Sequence, residues 1–399
     1  MSTLIKCGML IDGTGARPVQ GGAILVDGTS IAMAGPADRV TAPAGVVVCD
    51  LSAYTVMPGM IDCHDHLQFD AGDEEAMSRE PLAWLTARAA KNARQILRAG
   101  ITTVRDVGAK GFGDVEIKKA IEAGLIPGPR LLVSGHFVVR TGGHAWYLGE
   151  QADGPDAIRA AIRRQIRGGA DLVKFMITGG IATKGMDPVG ATYTREEIWA
   201  AVDEAHREGK KAAAHGYGGP AVMHAVEAGL DSLEHGAMCS EAELEAMASK
   251  GTSLVCTCGV MEHVVATPGI PEFFREKGKL VLARYIDTLS KARRIGVKVA
   301  VGGDTYHADP GVEMAALVKA GFTPMEAVQA VTRNGADLCG VLDQAGTIEA
   351  GKRADIIAVE GNPLDDVRAV RNVRWVMQDG VVRRRLDGGL EDPGPLSRL

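Results

Sequence analysis

The sequence predicts an α/β protein, a (β/α)8 TIM barrel with a small β-sandwich formed by its N- and C-terminal segments. Three observations predict it. The two ends share a texture of short apolar stretches broken by Gly-rich turns, apolar runs of four to eight residues alternate with helical patterns between them, and metal-competent side chains stand just after several of those runs. Barrels of this kind carry their catalytic residues at the strand C-termini.

From Leu4 to about Val56 the chain reads as short strands joined by turns, as in Met9-Leu10-Ile11-Asp12-Gly13 and Gly22-Ala23-Ile24-Leu25-Val26-Asp27-Gly28. Asp-Gly between strand-like runs is a strong turn signal. The same texture returns in Ala354–Val359, in Val373–Met377 and in Asp379-Gly380-Val381-Val382. Residues 1–56 and 346–385 are therefore expected to pair into the sandwich, with the barrel at 57–345. Barrel strands are expected near 56–62, 101–106, 131–136, 171–177, 211–215, 230–234, 253–258 and 297–303. Between them run helical i, i+3, i+4 patterns such as Ala83 to Leu97 and Glu196 to His206. The stretches 136–150, 178–192 and 259–274 show no pattern and follow predicted strands, so they are expected as loops that shape a substrate pocket at the barrel mouth. The tail 386–399, with a Gly-Gly pair and Pro393 and Pro395, reads as disordered.

With 399 residues, 46% of them hydrophobic, the chain can bury a large core and a smaller one. A net charge of −6 without any Lys/Arg block speaks against nucleic acid as a partner. No apolar run approaches the ~20 residues of a membrane span, and Met1 to Lys6 carries no signal-like segment, so a cytoplasmic protein without membrane partners is expected. Seven cysteines, an odd number scattered along the chain, read as free thiols. Cys256 and Cys258 lack a second cysteine pair and read as small buried hydrophobes.

His64-Asp65-His66 follows the first predicted strand. Side chains at i and i+2 of an extended chain point the same way, so both imidazoles can reach one cation while Asp65 points elsewhere. His215 ends Lys211-Ala-Ala-Ala-His, His235 ends Leu230-Asp-Ser-Leu-Glu-His, and Asp304 follows Val299-Ala-Val-Gly-Gly. Four histidines at strand ends of one face are hard to satisfy by hydrogen bonds alone, whereas a metal satisfies them all. This nitrogen and oxygen mixture suits zinc first, with manganese, cobalt or iron as alternatives. Lys174 lies inside Leu172-Val173-Lys174-Phe175-Met176. Desolvation lowers such a lysine's pKa and leaves a neutral amine able to react with CO2. The resulting carbamate is a bidentate anion suited to bridging two divalent metal ions.

With Pro58-Gly59-Met60-Ile61-Asp62-Cys63-His64-Asp65-His66 and Gly351-Lys352-Arg353-Ala354-Asp355 in place, the chain resembles the amidohydrolase superfamily over nearly its whole length. The resemblance implies that His64, His66 and Asp304 hold one metal, that His215 and His235 hold the other, and that carboxylated Lys174 joins them. More narrowly, Thr141-Gly142-Gly143-His144, Thr178-Gly179-Gly180 and Ala214-His215-Gly216-Tyr217 are similar to the imidazolonepropionase-like and Xaa-Pro dipeptidase or carboxypeptidase branch. There the counterparts of His144 and Tyr217 contact substrate. The branch usually has Ala-His-Ala-Tyr, and this chain carries Gly216 in that motif.

The expected reaction is hydrolysis of an amide or peptide bond of a small molecule, a dipeptide or N-acyl amino acid with a free carboxylate, by metal-bridged hydroxide attack. Asp304 is expected to carry the proton from nucleophile to leaving amine. His136 and His307, near strand ends, are further candidates for the pocket lining. Asp106 reads as a structural carboxylate, and His206 and His224 lie in helical patterns on the far side of the barrel. Two alternatives stay open: a hydrolase of a xenobiotic aryl-amide, carbamate or urea, and a mononuclear deaminase or cyclic amide hydrolase, which would not need Lys174. A homo-oligomer paired through an exposed barrel side is a common state for such enzymes.

Overall fold

A computed structural model describes residues 2–389 of the chain. Eight parallel strands form the barrel: Met60–Asp65, Ile101–Asp106, Arg130–Val133, Leu172–Met176, Lys211–Gly216, Ser232–His235, Ser253–Cys256 and Val299–Val301. The first three pair in series, as do the last five. Backbone hydrogen bonds carry the ring across both remaining seams. Asp304 N donates to His64 O (2.6 Å) between the eighth and first strands, and Asp171 N donates to Val133 O (2.7 Å) between the third and fourth. The eight expected strands are all present, shifted by a few residues.

The helices between them follow from apolar spacing and punctuation. Leu82–Arg98 buries Leu85, Ala89, Ala93, Ile96 and Leu97, one stripe repeating every three or four residues. Arg195–Arg207 begins with a capping box between Thr194 and Glu197. Four helices stop at Gly169, Gly229, Gly251 and Gly296, each in the left-handed conformation that glycine adopts without cost from a Cβ.

Three expectations need correction. The run expected at 56–62 spans two strands, Val47–Pro58 of the terminal sheet and Met60–Asp65 of the barrel. They meet at Gly59, where a Cβ would lie 2.3 Å from Thr102 Oγ1; apolar residues on both sides hide the break. The stretch 259–274, expected as a loop, is helical over half its length in Cys258–Ala266 and enters the next helix at Glu272. No side chain within Cys258–Ala266 caps its start. Instead Glu313, 55 residues away, accepts from Cys258 N (2.7 Å) and Gly259 N (2.6 Å), a partner that local pattern cannot reveal. In the expected disordered tail, residues 386–389 form a turn closed by Gly388 N donating to Arg385 O (2.9 Å), and 390–399 lie outside the described residues.

The terminal segments form one continuous sheet of eight strands rather than two separate layers. Val47–Pro58 is its centre, parallel to Ser2–Leu10 on one side and antiparallel to Ile356–Val359 on the other. In a flat sheet Ser30–Pro36 would lie four spacings from Ile356–Val359, ~19 Å. Ile31 N nevertheless donates to Lys352 O and Ala354 N to Thr29 O, both at 2.8 Å. The sheet therefore folds back on itself and encloses Ile24, Leu51, Val56, Ile356 and Trp375.

Arg130 joins this sheet to the barrel. It donates to Thr103 Oγ1 (2.9 Å), Asp355 Oδ2 (2.9 Å) and Asp379 (3.0 Å). Burial pushes the Asp355 carboxyl up, and the Arg130 guanidinium opposes that rise. Arg130→Met would leave Asp355 buried without its cation. Its expected effect is a loss of about 2 kcal/mol, measured as a lower thermal and denaturant midpoint, and a midpoint equal to wild type would refute the account.

Candidate metal centre

At the C-terminal end of the barrel, His64 Nδ1 donates to Glu234 Oε2 (2.8 Å) and His66 Nδ1 donates to the Gly108 carbonyl (2.8 Å). Each bond fixes a tautomer and leaves Nε2 unprotonated. Both Nε2 atoms face Asp304 Oδ1, at 3.9 and 3.8 Å. One ion ~2 Å from each donor fits between them. The donor atoms of this triad all lie within 4.8 Å of one another.

His215 and His235 complete the ring of imidazoles. The His215 ring centroid lies 4.7 Å from that of His235, which lies 4.8 Å from that of His64. His215 Nε2 donates to the Gly179 carbonyl (3.0 Å), leaving Nδ1, whereas His235 Nδ1 bonds Thr257 Oγ1 (2.7 Å), leaving Nε2. Burial holds all four imidazoles well below the usual 6.5, His66 at about 3. They are therefore neutral at physiological pH, the form that binds metal.

Lys174 lies among them, 1% exposed. Burial lowers its pKa to about 8 even though the charges of Glu234 and Asp304 pull it up. Among the described residues it makes no hydrogen bond and no ion pair. A buried ammonium without a partner is costly, so the site calls for a group that changes its charge or satisfies it. Five nitrogen and oxygen donors around such a lysine fit divalent metal ions, with or without a carbamate.

Beneath these donors runs a chain of buried charge. Arg105 Nη2 donates to Glu234 Oε1 (2.7 Å), Arg105 Nε to the Cys63 carbonyl (2.5 Å) and Arg105 Nη1 to Ser232 Oγ (3.0 Å). Glu234 is fully buried and is shared between Arg105 and His64. Asp62 clamps the rim by accepting from His64 N (3.0 Å) and Gly303 N (3.0 Å). Asp106 is structural, accepting from Leu67 N and Gly108 N at 3.1 Å each. His206 pairs with Asp231 (2.9 Å) away from the cavity.

Two donors sit on strained backbone. His235 has φ 71° and Asp304 φ 58°, left-handed positions that cost residues with a Cβ about 1–3 kcal/mol each. Glycines make room beside the donors. A Cβ on Gly302 would lie 2.4 Å from His64 Cβ, and one on Gly180 would lie 2.1 Å from the His144 ring. Gly180, after the fourth strand, is thus where the His144 ring rests.

A cavity opens above the donors, lined by Phe69, Phe137, Leu148, Ile181, Val260 and Phe274 around the polar floor. His144 and Tyr217 both line it. His144 is held near 3 by burial and is neutral. Thr183 Oγ1 accepts from Ala145 N (2.9 Å) and hydrogen-bonds His144 Nδ1 (3.0 Å), which leaves Nε2 facing the cavity. The Tyr217 ring stacks on His235 (5.3 Å, 28°), and its hydroxyl has no partner among the described residues. Gly216 is explained locally, because a Cβ there would press on Ile177, Leu233 and Val222 at 3.2 Å.

His136 and His307 are not brought into the cavity, which corrects their expected role. His307 Nδ1 lies 2.8 Å from buried Asp65, and its Nε2 lies 2.6 Å from the Phe69 carbonyl and 3.1 Å from Asn92 Nδ2. Despite burial, this setting, led by Asp65, raises it to about 9, so it braces the loop after the first strand. His136 accepts from Gly111 N (2.7 Å) and stacks against Phe112 outside the barrel mouth. Sequence reasoning missed Arg105, Glu234 and Glu74, of which the last lines the cavity. Charged residues inside predicted apolar strands were the available signal for the first two.

Comparison with known proteins agrees with this geometry. The amidohydrolase family model matches residues 55–383. The chain belongs to the amidohydrolase family. It is 31% identical to the ochratoxinase of Aspergillus niger over 94% of this chain and 84% of that enzyme. It also superposes on a Xaa-Pro dipeptidase with bound methionine (TM-score 0.88, 31% identity, 96% of this chain and 99% of that one). A prolidase complexed with N-methylphosphonate-L-proline gives a TM-score of 0.90 at 27% identity, over 96% of this chain and 100% of that one. As an amidohydrolase it is a hydrolase acting on amide bonds. Among the described residues no helix is long and apolar enough to cross a membrane.

Glu234→Gln would remove the counter-charge of Arg105 and the carboxylate that orients His64. Metal affinity is expected to fall about ten- to hundredfold, read as metal retained per chain after dialysis against graded chelator. Retention equal to wild type would count against the orienting role.

Proposed function

We propose that this amidohydrolase is a binuclear, metal-dependent peptidase-like enzyme that cleaves a dipeptide or an N-acyl amino acid bearing a free carboxylate. The observation that carries the reading is Lys174, buried and unpartnered between the His64, His66, Asp304 donors and the His215, His235 pair. A carbamate on this lysine would give each side of the site an oxygen, and zinc suits the donor set first. Two bound cations polarise a carbonyl and lower the pKa of water.

The remaining chemistry falls to the chain's own residues. Burial lifts the Asp304 carboxyl to about 7 in the metal-free site, and its place at the cavity floor suits it to take a proton and return it to the departing amine. Amide cleavage needs that return, because nitrogen leaves poorly unless protonated. His144 Nε2 and the Tyr217 hydroxyl are the groups left to hold the substrate's carboxylate or the scissile oxygen. The apolar wall of Phe69, Phe137, Leu148 and Phe274 excludes water and receives the substrate's hydrophobic parts. The likeness to a Xaa-Pro dipeptidase and a prolidase supports the dipeptide substrate. The likeness to ochratoxinase, with the aromatic walls, favours bulky acyl groups as well.

Elemental analysis of protein purified without chelator, run beside a library of dipeptides and N-acyl amino acids, tests the reading. Two metals per chain with amine release are expected, and one metal in fully active protein overturns it. Lys174→Ala should lose metal and activity, with partial recovery on adding a short-chain carboxylic acid; full activity without additive would rule out the carbamate. Asp304→Asn should lower kcat by about 10²–10⁴, and turnover within a few-fold of wild type would remove its role in proton transfer.

A further inference from the structure

The loop after the first barrel strand carries one carboxylate that the proposed reaction does not use. Glu74 opens the short helix Glu74–Met77, which Asp73 caps by accepting from Ala76 N (3.0 Å). Its side chain lines the same cavity as His144, Tyr217 and Asp304. It also lines an adjoining cleft that shares Ala182 and Phe274 with the cavity. Glu74 therefore stands where the cavity opens outward.

Its neighbours have partners and it does not. Glu75 pairs with Arg79 (2.6 Å) and Glu80 with Arg88 (2.5 Å), while Glu74 makes no side-chain hydrogen bond or ion pair among the described residues. Lys277, on the helix Glu272–Ile295, is committed to the Gly180 and Thr183 carbonyls (3.2 and 2.7 Å), and Arg79, which lines the adjoining cleft, is the partner of Glu75. Lys174 lies at the cavity floor among the metal donors. Burial, and then the facing charge of Asp304, raise Glu74 to about 8. A carboxylate lining the cavity beside a like charge lacks a cation, since Arg79, Arg88 and Lys277 all hold other partners.

We infer that Glu74 selects substrates carrying an ammonium group, which it binds at the mouth of the cavity while the carboxylate lies on His144 and Tyr217. The inference rests on the amide-hydrolase reading and narrows its substrate class. A substrate carboxylate beside Glu74 would be repelled, so the same residue orients the molecule. The ammonium has two sources, the α-amino group of a free dipeptide or a basic side chain of the acyl residue.

The experiment compares glycyl-leucine, N-acetylglycyl-leucine and N-acetyl-lysyl-leucine on metal-loaded wild type, Glu74→Gln and Glu74→Lys, each checked for thermal midpoint and metal content. In wild type, kcat/KM for at least one charged peptide should exceed that for N-acetylglycyl-leucine by about tenfold to a hundredfold. Glycyl-leucine leading points to the α-amino group, and N-acetyl-lysyl-leucine leading points to the side chain. The ratio should collapse towards one in Glu74→Gln and invert in Glu74→Lys. A ratio unchanged in both variants, or a wild-type preference for the neutral peptide, overturns the inference. If no peptide is cleaved, the proposed reaction fails on its own account. The same peptides are then uncleaved ligands, and titration calorimetry must show the same ratios or the inference falls as well.

Discussion

The candidate metal centre depends on one buried ion chain, Arg105 to Glu234 to His64. Removing a guanidinium and a carboxylate from water is expensive, and this pair recovers the cost only because every polar atom is used. Arg105 reaches the first strand through the Cys63 carbonyl, the sixth through Ser232 Oγ and Glu234, and so ties three strands across the barrel interior. Glu234 passes the restraint to His64 and fixes which nitrogen it offers. The donor geometry above is thus set from below, by contacts that no substrate touches.

Above this chain the backbone takes on strain. His235 and Asp304 adopt left-handed conformations, and each is held there by specific bonds, His235 by Thr257 and Asp304 by the backbone of His64. Strained positions persist where the surroundings over-determine them. The imidazoles are kept neutral by burial first and by the neighbouring Lys174 and one another second, so the site is ready for cations without first shedding protons.

Much of this was legible in the sequence. Eight apolar runs and the polar residues that end them located the strands, and the six residues expected as donors line one cavity, because strand-end chemistry is local. The logic that singled out Lys174, a charge inside an apolar strand, applies equally to Arg105 in Ile101–Asp106 and Glu234 in Ser232–His235. Their pairing needed the closed barrel, since they lie 129 residues apart. His307 and His136 misled because proximity to a strand end does not say which way a ring turns, and Asp65 and Gly111 claimed them. The helix Cys258–Ala266 and the role of Glu74 depend on groups brought together only by tertiary structure.

The central strand of the terminal sheet, Val47–Pro58, has consequences for how the chain is born. One of its edges can pair with Ser2–Leu10 at once, but the other waits for Ile356–Val359. That partner leaves the ribosome roughly 300 residues later, about 15–60 s at ordinary elongation rates. Throughout that interval a strand ending in Val56-Met57-Pro58 presents unpaired backbone to solvent or to other nascent chains. The proline at its end has no N–H to offer, and it shortens the template on which a stray strand could grow.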